Sequence, residues 1–461
     1  MTGIPLLIVF CLAIILMIVA ISKFHIHPFL SLMGTSLVLA VVVGLPLEKI
    51  PGIIGSGFSG VFSSIGIVII LGALIGLILE KTGAAIRLAD VVIRFVGEKH
   101  PQLALMLMGW IVSIPVFCDS GFVILNPIRK ALCRKLKGAS PAGMAVALSA
   151  GLYAAHVFIP PTPGPIAAAG SLGLADHLAG VILAGVIASV PALAAAYIFS
   201  LYIAKKDISV HADEKESPDT EKSYEELVAG FGKLPGAFSS FAPIVIPVIL
   251  MALGSFVSMI GLQGSSAVLC KFFATPIIAL TVGLLLAVRL LASTHMMNRF
   301  AAITDETLKT VGPILFVTAA GGVLGKVITA AGFVEFMKAN AAFLSSVGIF
   351  FPFLISAILK TAQGSSTVAI TTTAGIMGMY TDSASMMSAL GLQSEMAALL
   401  TVMAIGAGAM TVSHANDSYF WVVTNFTGLD PQDGYRTQSM MTLVVGIVSM
   451  VSIFLASLVL L

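Results

Sequence analysis

Asp119, Asp417, His156 and His414 are ionisable residues standing in otherwise apolar sequence, within FCDSGFVI, SHANDS and HVFIPP. A charge at membrane depth is expensive and is usually kept for function. The two acids are expected to carry a proton, and the histidines to bind a proton or ligate a cation. Around them cluster hydroxyls and amides: Ser120, Thr162, Ser365, Ser366, Thr367, Ser413 and Ser418, with Gln363 and Asn416. Such groups, together with helix N-termini, bind a polyhydroxylated or carboxylated small solute. Lys360, just ahead of one cluster, is placed to answer an anionic carboxylate. Each residue alone also has a plainer use. Serine and threonine bond back to their own helix carbonyls, Asp119 can cap a helix, a histidine can sit buried with a satisfied hydrogen bond, and Lys326 near a span end can snorkel.

These residues fall where apolar helices must stop. In His156 to Gly170, HVFIPPTPGPIAAAG, the prolines Pro160, Pro161, Pro163 and Pro165 each lack an amide donor. The helix is therefore expected to break near Pro160 and to restart beyond Pro165. A break at membrane depth exposes carbonyls and amides, which is tolerated only where protein covers them or they line a cavity. Thr162, Pro163 and Gly164 are thus expected to form one wall of a binding site. SHANDS interrupts a second apolar run in the same way.

Composition sets the class. With 58% hydrophobic and 10% charged residues, the chain reads as an all-α polytopic membrane protein. No glycine-rich phosphate loop is present, so nucleotides and nucleic acid are not expected partners and no cofactor is implied. Cys11, Cys118, Cys133 and Cys270 show no metal-ligand spacing and read as reduced thiols. Apolar runs at 4–22, 29–46 and 62–80 are long enough to span, and 81–100 has the pattern of a basic amphipathic surface helix. The run 102–128 is flanked on both sides by basic residues, which mark the cytoplasmic face. It must enter and return, because two legs of about 13 residues reach roughly 20 Å each against a core of about 30 Å. Its turn is expected at Cys118, Asp119, Ser120 and Gly121. A broken span at 141–176 and a span at 179–204 follow.

The hydrophilic stretch 205–235 is expected to be a cytoplasmic linker between membrane halves 1–204 and 236–461. The second half carries spans near 241–262, 272–291 and 312–331, with a polar segment at 293–310. A second hairpin at 343–374 turns through Gln363, Gly364, Ser365, Ser366 and Thr367. A broken span at 396–426 and a last span at 440–461 complete it. The halves correspond: Gly72, Gly76 and Gly83 align without a gap on Gly321, Gly325 and Gly332, and the hairpins and breaks follow in the same order. About ten crossings plus two hairpins place both termini outside and nearly all Lys and Arg inside, apart from Lys49, Lys271 and Lys338 outside and Lys326 and Lys360 within the membrane. The halves are then inverted repeats whose hairpin tips and broken helices meet near the bilayer middle.

The motifs KFHIHPFLSL, IPVFCDSGFVILNP, HVFIPPTPGPIAAAG, TAAGGVLG and AQGSSTVAI resemble the gluconate permease (GntP-type) family of gluconate:proton symporters, within the ion-transporter superfamily. The resemblance covers nearly the whole chain. It implies a multi-pass bacterial inner-membrane permease that imports a small anionic or zwitterionic carboxylate with protons and works by an elevator movement. It leaves open gluconate, another sugar acid or D-serine, and it leaves open a homodimer. Competing classes are a sodium-coupled carboxylate transporter, a cation/proton antiporter, and an intramembrane hydrolase using Ser120 with His156. The last lacks a GxSxG elbow.

Overall fold

Proline and glycine set the helix ends. The computed structural model describes residues 4–24, 26–88, 91, 100–114, 116–135, 140–206, 208, 210, 234–259, 263–332, 348–414 and 417–461, and these hold helices and no strand. The core of the expected linker (211–233), the centre of the expected amphipathic helix, Asn416, and the side chains of Ser120 and Gln363 lie outside the described residues.

In the first half, α1 (Ile4–Ser22), α2 (Pro28–Val42), α3 (Ile50–Val61) and α4 (Ile67–Lys81) come first. A π-turn, Phe62–Gly66, fuses α3 to α4, so the span expected from Phe62 starts earlier. Next, α5 (Pro101–Ser113) and α6 (Cys118–Lys135) form a helix pair. It is followed by α7 (Pro141–Phe158), α8 (Pro163–Leu172) and α9 (Leu178–Ala204). In the second half, α10 (Ala237–Met259), α11 (Ser265–Ala274), α12 (Pro276–Ser293) and α13 (Phe300–Ala330) precede the pair α14 (Phe350–Gln363) and α15 (Ser366–Met377). Then come α16 (Glu395–Met410), α17 (Ser418–Thr427) and α18 (Met440–Leu460).

Four boundaries differ from the sequence reading, each for a local reason. The first pair turns before Cys118, because α5 stops at Ser113, whose Oγ donates to the Val116 carbonyl, and Cys118 to Gly121 become the first turn of α6. The broken helix restarts at Pro163 rather than beyond Pro165. The first positions of a helix have no intrahelical partner for an amide, so proline fits there. Thr275, ahead of Pro276, adopts an extended conformation and splits one expected span into α11 and α12. The polar segment before Thr310 is the start of α13. There Ile303, Thr307 and Val311 bury one stripe while Glu306, Lys309 and Thr310 face outward.

The core is the interrupted helix α7–α8. Every residue of its most apolar stretch is buried, whereas only 28% of the corresponding stretch at the C-terminus is. The pair α5–α6 packs on α7, and the pair α14–α15 packs on α16. Both contacts depend on glycine, since a methyl group on Gly151 would lie 1.9 Å from the Met106 carbonyl oxygen and one on Gly408 2.3 Å from that of Phe353. A third close seam joins α13 to α15. A methyl group on Gly325 would stand 2.0 Å from the Gly375 oxygen, and one on Gly375 2.4 Å from the Gly321 carbonyl carbon. Backbones touch directly along it.

Candidate functional site

Three helices begin at one cavity. Ser113 Oγ donates to the Val116 carbonyl (3.1 Å), closing the turn that starts α6, and Asp119 sits in the first turn of α6. Gly364, with φ +88°, ends α14; the Ser365 hydroxyl then accepts the Val368 amide (3.3 Å) and caps α15. In the second break, Asp417 caps α17 by accepting the Tyr419 amide at 3.0 Å. The cavity holds about 240 Å³ and is bordered by Phe117, Cys118, Asp119, Gly364, Ser365, Ser366, Thr367, Asp417, Ser418 and Tyr419, with Tyr153 and His156 from α7. At about 30 Å³ per water that is room for about eight waters, below the roughly 300–1,000 Å³ of drug-sized pockets. It suits a small solute.

The polar groups here are unevenly satisfied. Asp417 Oδ2 accepts from Lys360 Nζ at 2.5 Å and from Ser413 Oγ at 2.5 Å. Lys360 also donates to the Gly364 carbonyl, and its ammonium lies 5.7 Å from the centre of the Tyr153 ring. Asp119 meets Ser418 Oγ at 3.5 Å. His156 is 4% exposed, stands between the Phe117 and Tyr153 rings with centroids 6.1 and 6.5 Å away, and leaves Nδ1 without a partner among the described residues. A buried donor or acceptor with no partner is costly unless a ligand supplies one. Tyr419 OH donates to the Ser149 carbonyl (3.0 Å) and holds its ring in the wall.

Of the expected site residues, Asp119, His156, Gly364, Ser365, Ser366, Thr367, Asp417 and Ser418 border the cavity. Gly121 is on α6 one turn from the tip, against Leu152. Thr162, Pro163 and Gly164 lie away from it: Thr162 Oγ1 donates back to Ile159 O (2.6 Å), and Gly164 touches Ile370 of α15. His414 reaches the Thr361 carbonyl through Nε2 at 2.9 Å and ties the second break to α14. Tyr153 and Tyr419 were not singled out from the sequence, although Tyr153 lies three residues before His156, on the same helix face. A smaller cavity of about 90 Å³ adjoins, bordered by Phe117, Glu80, Glu306, Thr307 and Thr310 among others, with Lys81 paired to Glu306 at 2.9 Å.

The family model for GntP family permeases matches residues 4–459. The chain belongs to the GntP permease family. Among relatives, it is 32% identical to the inner membrane permease YgbN of Escherichia coli K12 over 459 residues, 97% of each chain. It is 30% identical to the gluconate permease of Pseudomonas aeruginosa, covering 97% of this chain and 96% of the relative. The low-affinity gluconate transporter of Escherichia coli K12 is 28% identical over 95% of this chain and 94% of its own. In fold alone, this GntP permease resembles the YdaH transporter of Alcanivorax borkumensis, at TM-score 0.61 and 16% identity, covering 94% of this chain and 97% of that one. It likewise resembles MtrF of Neisseria gonorrhoeae, at TM-score 0.59 and 15% identity, covering 95% and 96%. The protein is a multi-pass membrane transporter and not an enzyme.

Proposed function

We propose that this GntP permease imports gluconate or a related sugar acid across the bacterial inner membrane, coupled to protons, through the cavity where α6, α15 and α17 begin. The carrying observation is that convergence. Three helix N-termini point amides and positive dipole ends at one small polar space, which favours a carboxylate. His156 Nδ1 and the Ser365, Ser366 and Thr367 hydroxyls supply bonds for a polyol chain. Relatives named gluconate permeases support the substrate class. Asp119 and Asp417 border the same space and are the two candidates for the acid through which a proton would be linked to substrate.

The same reading treats the halves 1–204 and 236–461 as inverted repeats. The pairs α5–α6 and α14–α15 are then re-entrant hairpins, the termini are external, and an elevator movement carries the site. The matching order of helix pair and interrupted helix in each half supports it. Purified protein in vesicles with an imposed pH gradient, offered labelled sugar acids and D-serine, tests the function. Accumulation of a sugar acid driven by the pH gradient is expected. Accumulation that needs a sodium gradient instead would replace the proton in this reading.

A further inference from the structure

The two acids of the cavity are not equivalent. Lys360 is sealed from solvent, its side chain 0% exposed and that of its partner Asp417 6%. The Asp417 carboxylate takes bonds from Lys360, Ser413 Oγ and the Tyr419 amide, so its charge is neutralised and both oxygens are engaged. Asp119 faces the cavity with Ser418 Oγ at 3.5 Å, the limit of a hydrogen bond. The other titratable groups that face Asp417 are Cys118 and Asp119 from α6, Tyr153 and His156 from α7, and Tyr419 from its own helix. Among the described residues bordering the cavity, none is a lysine or arginine.

We infer that Lys360 is a positioning residue that keeps Asp417 ionised throughout transport and out of proton exchange, leaving Asp119, among the described residues that border this cavity, as the one carboxylate without an ion pair and setting one proton per carboxylate. The inference rests on the function proposed above. Protonating Asp417 would strand the Lys360 ammonium, buried without a counter-charge, and breaking a buried pair by removing one charge is strongly unfavourable. Protonating Asp119 strands nothing. The charges then add simply: Lys360 and Asp417 cancel, Asp119 contributes one negative charge, and a monocarboxylate entering with one proton leaves the total unchanged. Transport of a monocarboxylate is therefore electrically silent.

The wild-type protein in vesicles, loaded with labelled gluconate or the sugar monocarboxylate that the panel returns, tests this. The pH gradient and the membrane potential are set separately, the latter by a potassium gradient with valinomycin. Accumulation of about tenfold per unit of pH gradient is expected, with no response to potential. A second proton on Asp417 would give about a hundredfold per unit and add about fiftyfold per 100 mV, which overturns the inference while proton-coupled uptake stands. No response to pH overturns the proposed function, and the inference with it. Two variants localise the proton. Asp119→Asn should lose the dependence of accumulation on the pH gradient. The double variant Lys360→Met/Asp417→Asn should keep that slope at whatever residual rate it shows. Loss of the slope in the double variant with counterflow retained would make Asp417 the carrier.

Discussion

A single methyl group on Gly375 should loosen the junction between α13 and α15. Built on the backbone, it would lie 2.4 Å from the Gly321 carbonyl carbon and 2.5 Å from its oxygen. Carbon atoms rest about 3.5–4.0 Å apart, so the helices must part by roughly 1 Å. No flexible side chain stands there to give way. Overpacking of this kind costs about 1–3 kcal/mol. Alanine also gains helix propensity over glycine, and Gly34→Ala in α2 measures that gain alone, since its methyl group would meet nothing within 4 Å. Gly375→Ala should therefore be about 1–3 kcal/mol less stable than Gly34→Ala. Thermal unfolding of the two purified variants in one detergent measures it. If Gly375→Ala melts at or above Gly34→Ala, the seam is not in backbone contact and the reasoning fails.

Other expectations follow from the site. Ser365→Leu should abolish uptake without loss of expressed protein, because the side chain enters the cavity and the cap of α15 is lost at about 1 kcal/mol; Ser365→Thr, which keeps a capping hydroxyl, should retain measurable uptake. Phe117→Ala should join the two neighbouring cavities and raise proton leak in substrate-free vesicles, read with a pH dye; an unchanged leak would mean that other groups close the path. In a cysteine-free background, a cysteine at Ser217 should react only with reagent on the cytoplasmic side and one at Gly264 only from outside; the reverse pattern would overturn the inverted arrangement.

Much of the architecture was legible because proline, glycine and hydrophobic run length are local signals. The break at Pro160, the second interruption at Ser413 to Ser418, and the turn at Gly364 could be placed from composition alone. Local signals misplace what depends on position within a helix. Pro163 reads as a breaker but serves as a first residue, and Cys118 to Gly121 read as a turn but begin α6. The amphipathic start of α13 was hidden because one buried stripe, Ile303, Thr307 and Val311, is diluted by polar neighbours. The site chemistry was legible as residue types and not as pairs. Lys360 and Asp417 stand 57 positions apart, and nothing in the sequence couples them until the second break folds against α14. Thr162 looked equivalent to the other hydroxyls, yet its own backbone satisfies it.

Phe117 borders both the cavity of about 240 Å³ and the neighbouring one of about 90 Å³. Phe117 is therefore a wall that the two chambers share, placed to act as a door between them. A rotamer change opens such a door far faster than helices move, on a scale of picoseconds to nanoseconds for free side chains against microseconds to milliseconds for collective motion. The ring cannot then set the turnover rate. What it sets is the loss between turnovers: how many protons slip past an empty site while the slower machinery resets.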